Sequence, residues 1–428
     1  MPDILTYQKS DLERVLSPKQ LTLLHFVAEA AAARQVPLYL VGGFVRDMLL
    51  GNSGTDYDLV VEGDAIALAK GLAAQYGGRV TAHVPFGTAQ WFMDEPGARA
   101  IDFISTRSET YKHATALPTV SPGSLVEDLA RRDFTINTLA LRLDGKHWGE
   151  LRDDLGGLED LKRGLVRVLH PGSFQDDPTR LFRAVRYEQR YGFHIAPETL
   201  ALMPQVHPLI GLLSAQRIRH ELDLILEEEK VVGMLSRLAE LDLLQPVHPA
   251  LTWNDSTRQR FINGLSHFPD HHLKPIPSYA GRSFFGWHFW LMEVAPIDLK
   301  SLEQRLHFRA KLFESLLAAS VLFSGLPALV GLKPSQWVRR LEDLPLTAVQ
   351  TVYLSAPQGK AQQNLFTYLV IWRHVKPKTD GYALMKRGLP QGPLYQQVLL
   401  RLREAWLDKE VKTESEEMEL LDKLIKLV

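Results

Sequence analysis

The chain has 428 residues, is 45% hydrophobic and 23% charged, and carries 49 basic against 50 acidic side chains. That length exceeds one hydrophobic core, so two or three domains are expected, and high apolar content with near-zero net charge excludes disorder as the main state. There is no cysteine, which removes disulfides, thiolate zinc sites and cysteine nucleophiles and fits a reducing, cytoplasmic setting.

No run approaches the ~18 apolar residues of a spanning helix. The opening MPDILTYQKSDLERV carries acids and no apolar core, unlike a signal peptide. No membrane association is expected. In chain order, Ser17, Pro18 and Gln20 form a capping-box start for a helix that runs through LTLLHFVAEAAAA to Arg34. PLYLV (37–41) reads as a buried strand, and GGFVRDMLLG (42–51) as a turn and short helix closed by Gly51. TDYDLVVEG (55–63) reads as a second strand, and DAIALAKGLAAQYGG (64–78) as an amphipathic helix with a glycine stop. GRVTAHV, TAQWFM and ARAIDFI are three further short strands. This alternation predicts an α/β domain with a mixed sheet over residues 1–150. Arg107 to Glu127 has two prolines, several Ser and Thr and little periodicity, which predicts a long functional loop. From Asp128 helices dominate, and after Asp154 only helical patterns remain, so the rest is expected to be all-α, with boundaries near 150 and 246.

The neutral total hides a split. Residues 246–428 hold 23 Lys/Arg against 17 Asp/Glu, and residues 1–245 hold 26 against 33. Up to Asp408, before the acidic end, the C-terminal part holds 19 basic against 11 acidic. An acidic catalytic half joined to a basic docking half carries this pattern, as does chance variation of a solvated surface.

Four features bear on chemistry. Gly42 and Gly43 follow a strand directly. Paired glycines there let backbone N–H groups approach a phosphate, although a plain strand-to-helix turn has the same signature. Asp56 and Asp58 form a D-x-D in one strand, and period 2 sets both carboxylates on one face. Side by side they repel unless a cation joins them, and hard oxygen ligands suit Mg2+. Asp102, on a later strand, is a third acid that could reach the same metals, although all three acids equally fit solvent-facing strand ends. Arg131, Arg132 and Asp133 stand ahead of what reads as an apolar helix. Arginine forks suit phosphate oxygens and an acid accepts from ribose hydroxyls, while Asp133 is equally a helix N-cap. In FQDDPTRLFRAVRY, Asp177 and Pro178 start a helix on which Arg180, Arg183 and Arg186 recur at i, i+3 and i+6. That stripe suits a triphosphate or a base edge, or a solvated face.

In this order and at these intervals, GGFVRD, DYD, RRDFTIN and DDPTRLFRAVRY resemble the class II tRNA nucleotidyltransferases, which include CCA-adding, CC-adding and A-adding enzymes and bacterial poly(A) polymerases. FGTAQW, LPTVSPGSLVEDLARRD, LRDDLGGLEDLKRGLVRVLHP and SAQRIRHELDLIL support the match. The resemblance implies an α/β nucleotidyltransferase head (1–150), a helical neck that recognises the base (151–245), and a helical body and tail that bind tRNA (246–428). It implies that Asp56 and Asp58 hold two Mg2+ ions, with Asp102 catalytic beside them. The tRNA 3′ end would then attack the α-phosphate of CTP or ATP. Gly42, Gly43 and Arg46 fall in the family's phosphate-binding turn. Arg132 and Asp133, in the motif closed by Asn137, match its ribose reader. Asp177 and Arg180 match a pair that hydrogen-bonds the incoming base. Arg183 matches a triphosphate contact, with Arg186 a further candidate. CCA addition is the implied activity and A-only addition its nearest rival, because the long loop after Asp102 goes with the final A step.

The sequence departs from the family pattern in places. The acid pair is Asp176–Asp177 where Glu-Asp is usual, and Gln216 stands where Glu usually precedes Arg217. No phosphohydrolase His-Asp pattern is present, and the histidines of PDHHLKP (269–275) read as loop. The basic motif and tail of the poly(A) polymerases are missing. Two readings from other classes remain. One is a non-catalytic RNA-binding relative, which the intact D-x-D opposes; the other is a small-molecule nucleotidyltransferase.

Overall fold

A computed structural model describes residues 9–52, 58–94, 100–110, 119–268, 276–389 and 391–426. The chain divides into two compact units, Met1–Ser214 and Ala215–Val428. The expected neck, 151–245, spans this division.

The first unit contains strands β1 (Leu38–Val41), β2 (Leu59–Val61), β3 (Arg79–His83), β4 (Thr88–Phe92), β5 (Ile101–Ser105), β6 (Arg107–Thr110), β7 (Thr119–Pro122), β8 (Ala140–Arg142) and β9 (Glu150–Arg152). Seven of them form one sheet in the order β3-β4-β5-β2-β1-β8-β9, and β6 and β7 form a separate hairpin. Sheet neighbours are antiparallel except β2 and β5, which are parallel. This is the mixed α/β sheet that the alternation of strands and helices called for. β1 is buried along its length, as the apolar run required. The helix Ala65–Tyr76 is capped by Asp64, stops at Gly77 and buries Ala65, Leu68, Ala69 and Leu72. Ser17 and Gln20 form the expected capping box on the helix Pro18–Ala33.

Three stretches differ from the sequence reading. The expected loop from Arg107 to Glu127 contains the β6–β7 hairpin and the start of the helix Leu125–Ala130, whose N-cap Ser124 forms a capping box with Glu127. Pairing between two four-residue strands, not an alternating pattern, defines that hairpin. RRDFTIN does not lead into a helix. Thr135–Asn137 is one 3-10 turn, and β8 and β9 follow. The apolar run after it is too short for periodicity to decide between helix and strand, and pairing with β1 decides it: Leu40 faces Leu141 and Val41 faces Ala140. Beyond Asp154, a two-residue parallel pair, Leu165–Val166 with His194–Ile195, interrupts the expected all-helical stretch.

The second unit has no strand among its described residues. Its core centres on the helix Arg282–Leu291, where Phe284, Phe285, Trp287, Phe289 and Trp290 are all buried. The helix Ala310–Leu329 is long and apolar enough to cross a membrane by length and composition, contrary to the expectation that no run comes close. It carries Lys311, Glu314 and Pro327, buries Leu316, Ala319, Leu322 and Leu326, and packs against neighbouring helices as part of the body. The histidines of 269–275 lie outside the described residues.

His288 ties three helices of this unit together. Its Nδ1 lies 2.8 Å from the Phe284 carbonyl and its Nε2 lies 2.8 Å from Ser315 Oγ, which contacts Thr347 Oγ1 at 2.8 Å. A neutral ring satisfies both contacts, donating from Nδ1 and accepting at Nε2. Full burial pushes the imidazole pKa down to about 4, against the pull of those hydrogen bonds. Unfolding therefore takes up a proton below the ordinary value of 6.5. The stability His288 contributes is complete above that value and is lost as pH falls towards 4. Urea unfolding should show about 2 kcal/mol less stability at pH 5 than at pH 7 from this group alone. His288→Gln should remove that part of the slope, and an unchanged slope would contradict the assignment.

Candidate active site

Three strand ends meet at one end of the sheet. The antiparallel ladder pairs Leu40 with Leu59, and the parallel ladder pairs Leu59 with Phe103. One step along these registers, Val41 lies beside Asp58 and Asp58 beside Asp102, with Gly42 next in line. By the two-residue period, Asp58 and Asp102 share a sheet face with Val60 and Ile104. The helix Leu125–Ala130 covers that face, where Val60, Leu125 and Leu129 cluster with Tyr39, Val41 and Ala140. Asp58 is exposed and Asp102 half-buried. Asp56 lies outside the described residues. Among the described residues no group of three or more His, Cys, Asp or Glu side chains is set to hold a metal. The donors that the register does set side by side, Asp58 and Asp102, are both carboxylates and suit a hard divalent cation.

The glycine turn adjoins these acids. Gly42 has φ +69° and ψ −128°, and a Cβ there would stand 2.6 Å from Arg132 Nη1. The positive φ favours glycine, and any side chain there would also displace the Arg132 guanidinium. Arg132 reaches Asp128 Oδ2 through Nη2 at 3.3 Å, while its Nε is buried with no hydrogen-bond partner. A cationic donor is therefore unsatisfied beside the turn.

A chain of polar contacts links the turn to the helix Thr179–Tyr191. Arg46 donates from Nη1 to Asn137 Oδ1 at 2.5 Å and from Nε to Asp47 Oδ1 at 2.9 Å. Its guanidinium lies 4.6 Å from the Tyr191 ring centroid and 5.1 Å from that of Tyr187. Asn137 donates from Nδ2 to Asp133 Oδ1 at 2.8 Å, which also accepts the Phe134 N–H at 2.9 Å. Asp133 Oδ2 accepts from Arg183 Nε at 2.8 Å and Nη2 at 2.6 Å. Burial pushes the Asp133 carboxyl up, but Arg183 and Asn137 outweigh it and hold it below the usual carboxylate range. A cap of Asp133 on a following helix, considered from sequence, is replaced by this network.

Arg180 is buried. It donates from Nη1 to Ser173 Oγ at 2.5 Å and from Nη2 to the Arg131 carbonyl at 2.7 Å. Asp177 Oδ1 accepts the N–H and hydroxyl of Thr179 at 2.9 and 2.6 Å, at the start of its own helix. Asp176 pairs with His170 at 3.5 Å. Arg186 is buried, 5.6 Å from the Tyr187 ring centroid. Thus Gly42, Gly43, Arg46, Arg132, Asp133, Asn137 and Arg183 form one neighbourhood, Arg180 joins it through Arg131, and Asp177 faces Thr179. Sequence reasoning missed Asp128, Tyr187 and Tyr191. The signal was helical spacing: Asp128 precedes Arg131 and Arg132 by three and four residues, and the tyrosines follow Arg183 by four and eight.

A family model described as the poly A polymerase head domain matches residues 38–167, and one described as the probable RNA and SrmB-binding site of polymerase A matches residues 192–253. The A-adding tRNA nucleotidyltransferase of Halalkalibacterium halodurans is 33% identical over 396 residues, covering 91% of this chain and 89% of that protein. A Thermotoga maritima CCA-adding enzyme complexed with tRNA-CCA superposes with a TM-score of 0.79 at 28% identity, covering 97% of each chain. A CCA-adding enzyme complexed with ATP superposes with a TM-score of 0.81 at 28% identity, covering 98% of each. The strand-end acids, the glycine turn and the arginine-bearing helix thus belong to a nucleotidyltransferase, and this chain is a member of the tRNA nucleotidyltransferase and poly(A) polymerase family.

Proposed function

We propose that this chain completes the 3′ end of tRNA in the cytoplasm, adding CMP and AMP from CTP and ATP. The carrying observation is the site itself: Asp58 beside Asp102 by register, next to a glycine turn and an unsatisfied arginine donor. The 3′ hydroxyl attacks the α-phosphorus in line, the new phosphodiester forms, and pyrophosphate leaves.

Asp58 and Asp102, with Asp56, would hold divalent cations, and the hardness of their oxygens favours Mg2+. Such ions supply Lewis-acid polarisation of the phosphoryl oxygens when bound. The chain's own residues bind and orient the nucleotide. Gly42 and Gly43 bring backbone N–H groups close to the triphosphate, and Arg132 donates to its oxygens from Nε and Nη1. The Asp133 carboxylate already accepts four hydrogen bonds, about its full capacity. It reads a ribose hydroxyl only after Arg183 turns from Oδ2 towards the triphosphate. Phosphate binding and ribose reading are therefore coupled through one guanidinium. Arg46 acts as a positioning residue through Asn137. Asp177 accepts from the exocyclic amine that cytosine and adenine share, and Arg180 donates to a ring nitrogen of either base and to the carbonyl of cytosine.

A second reading, A-only addition, is favoured by the A-adding relative that aligns along 91% of the chain. Three tRNA transcripts, ending before CCA, after C and after CC, separate the two when CTP and ATP are offered singly. CCA addition extends the first two with CTP and the third with ATP. A-only addition extends only the third, with ATP. No extension of any transcript would overturn the proposal.

A further inference from the structure

The helical unit holds a cavity of about 300 Å3 lined by Arg219, Asp223, Tyr279, Trp287, Arg309 and Lys311 among others. No step above uses it. Asp223 Oδ1 accepts from Trp287 Nε1 at 2.7 Å, and Arg219 Nε stands 4.0 Å from Oδ2. Arg219 is committed as well to the carbonyls of Leu306 and His307. Burial pushes the Asp223 carboxyl above its usual range, against the pull of Trp287, Arg219 and Arg309. The rim differs. Arg309 and Lys311 are exposed, and neither forms an ion pair with a carboxylate among the described residues. Lys311 Nζ lies 4.6 Å from the ring centroid of Tyr279, which is 45% exposed and edge-on to Phe284 at 5.7 Å.

Arg309 acts on Asp223 only at longer range, and Lys311 has no ion pair with a carboxylate among the described residues, so the exposed side of the cavity is basic and suits phosphate. A half-exposed aromatic ring beside them offers a stacking face for a base. The floor acid accepts from an exocyclic amine. Such a volume lies at the small end of ligand sites, room for one nucleotide unit and not for a duplex. The cavity also draws Arg309 and Lys311 from the stretch where the basic excess lies.

We propose that this cavity takes one unpaired nucleotide of the tRNA strand, with its phosphate on Arg309 and Lys311 and its base against Tyr279. The inference rests on the tRNA reading above. The test is the affinity of the full chain for a tRNA transcript ending in CC, measured by filter binding across a salt series. In the Arg309→Ala/Lys311→Ala double variant, Kd should rise about tenfold and the log–log salt slope should shrink by about 1. Tyr279→Leu should raise Kd about tenfold with the slope unchanged, and Tyr279→Phe should restore wild-type affinity. These residues lie on the surface, so the far-ultraviolet circular dichroism of every variant should match the wild type. The KM for ATP at saturating tRNA should not move. Kd and slope within twofold of wild type would overturn the inference, as would a raised KM for ATP with tRNA affinity intact, which would assign the cavity to free nucleotide. A wild type that extends no tRNA would instead refute the functional reading beneath it.

Discussion

Asp58→Asn should lower kcat for nucleotidyl transfer about a thousandfold or more, a loss of roughly 4 kcal/mol of transition-state stabilisation. The exchange keeps the shape of the side chain and removes its charge. Asp58 is exposed at the foot of β2, so folding does not depend on that charge, and the thermal midpoint should stay within about two degrees. The KM for ATP should change little, because the glycine turn and the arginines remain. Asp102→Asn should cost less, since Asp102 is half-buried on β5 opposite Gln90. Rapid-quench measurement of a single AMP addition gives the comparison. An Asp58→Asn variant that kept a tenth of wild-type kcat would remove the acids of this sheet end from the reaction.

Asp133→Ala should fail in a different way, by unfolding. It deletes the acceptor of four hydrogen bonds and leaves the Arg183 guanidinium without its buried counter-charge. The carboxylate is buried but the guanidinium is 30% exposed and keeps Tyr187, so deleting the acceptor costs about 1–3 kcal/mol. Urea unfolding followed by the circular dichroism of the chain should register that loss in the first unit. Asp133→Asn, which keeps the volume and part of the bonding, should lose less. The carboxyl sits below its usual range in the folded chain, so its contribution is complete above about pH 4 and is lost as pH falls through the lowered value. The Asn variant should therefore lack Asp133's part of the wild-type acid-limb slope, while the part from His288 remains. A loss below 1 kcal/mol for Asp133→Ala would show that Arg183 finds another partner.

The difference between these variants reflects what the sequence could disclose. Gly42, Asp58 and Asp102 are legible because each marks the end of a strand with its own local signature: paired glycines, a D-x-D, an acid in an apolar run. Ladder registers then place them together, and no sequence pattern states a register. The hairpin β6–β7 was invisible because two four-residue strands without alternation look like loop. β8 reads as helix in the sequence because its pairing partner, β1, lies about a hundred residues upstream. The arginine stripe on Thr179–Tyr191 was legible, but its partners were not. Arg183 on Asp133 and Arg180 on the Arg131 carbonyl are contacts across 50 and 49 residues of chain. The aromatic pair beneath Arg46 was legible in principle, being spaced at helical intervals from Arg183.

In the proposed reaction the strand-end acids and the arginine-bearing helix together transfer a nucleotide to a tRNA 3′ end. The direct measurement is a reaction of the intact chain with ATP labelled at the α-phosphate and a tRNA transcript ending in CC. The expected result is label joined to the transcript and one pyrophosphate released for each AMP added, both abolished in Asp58→Asn. Label that stays in free AMP, or that joins the transcript equally well in the variant, would contradict it.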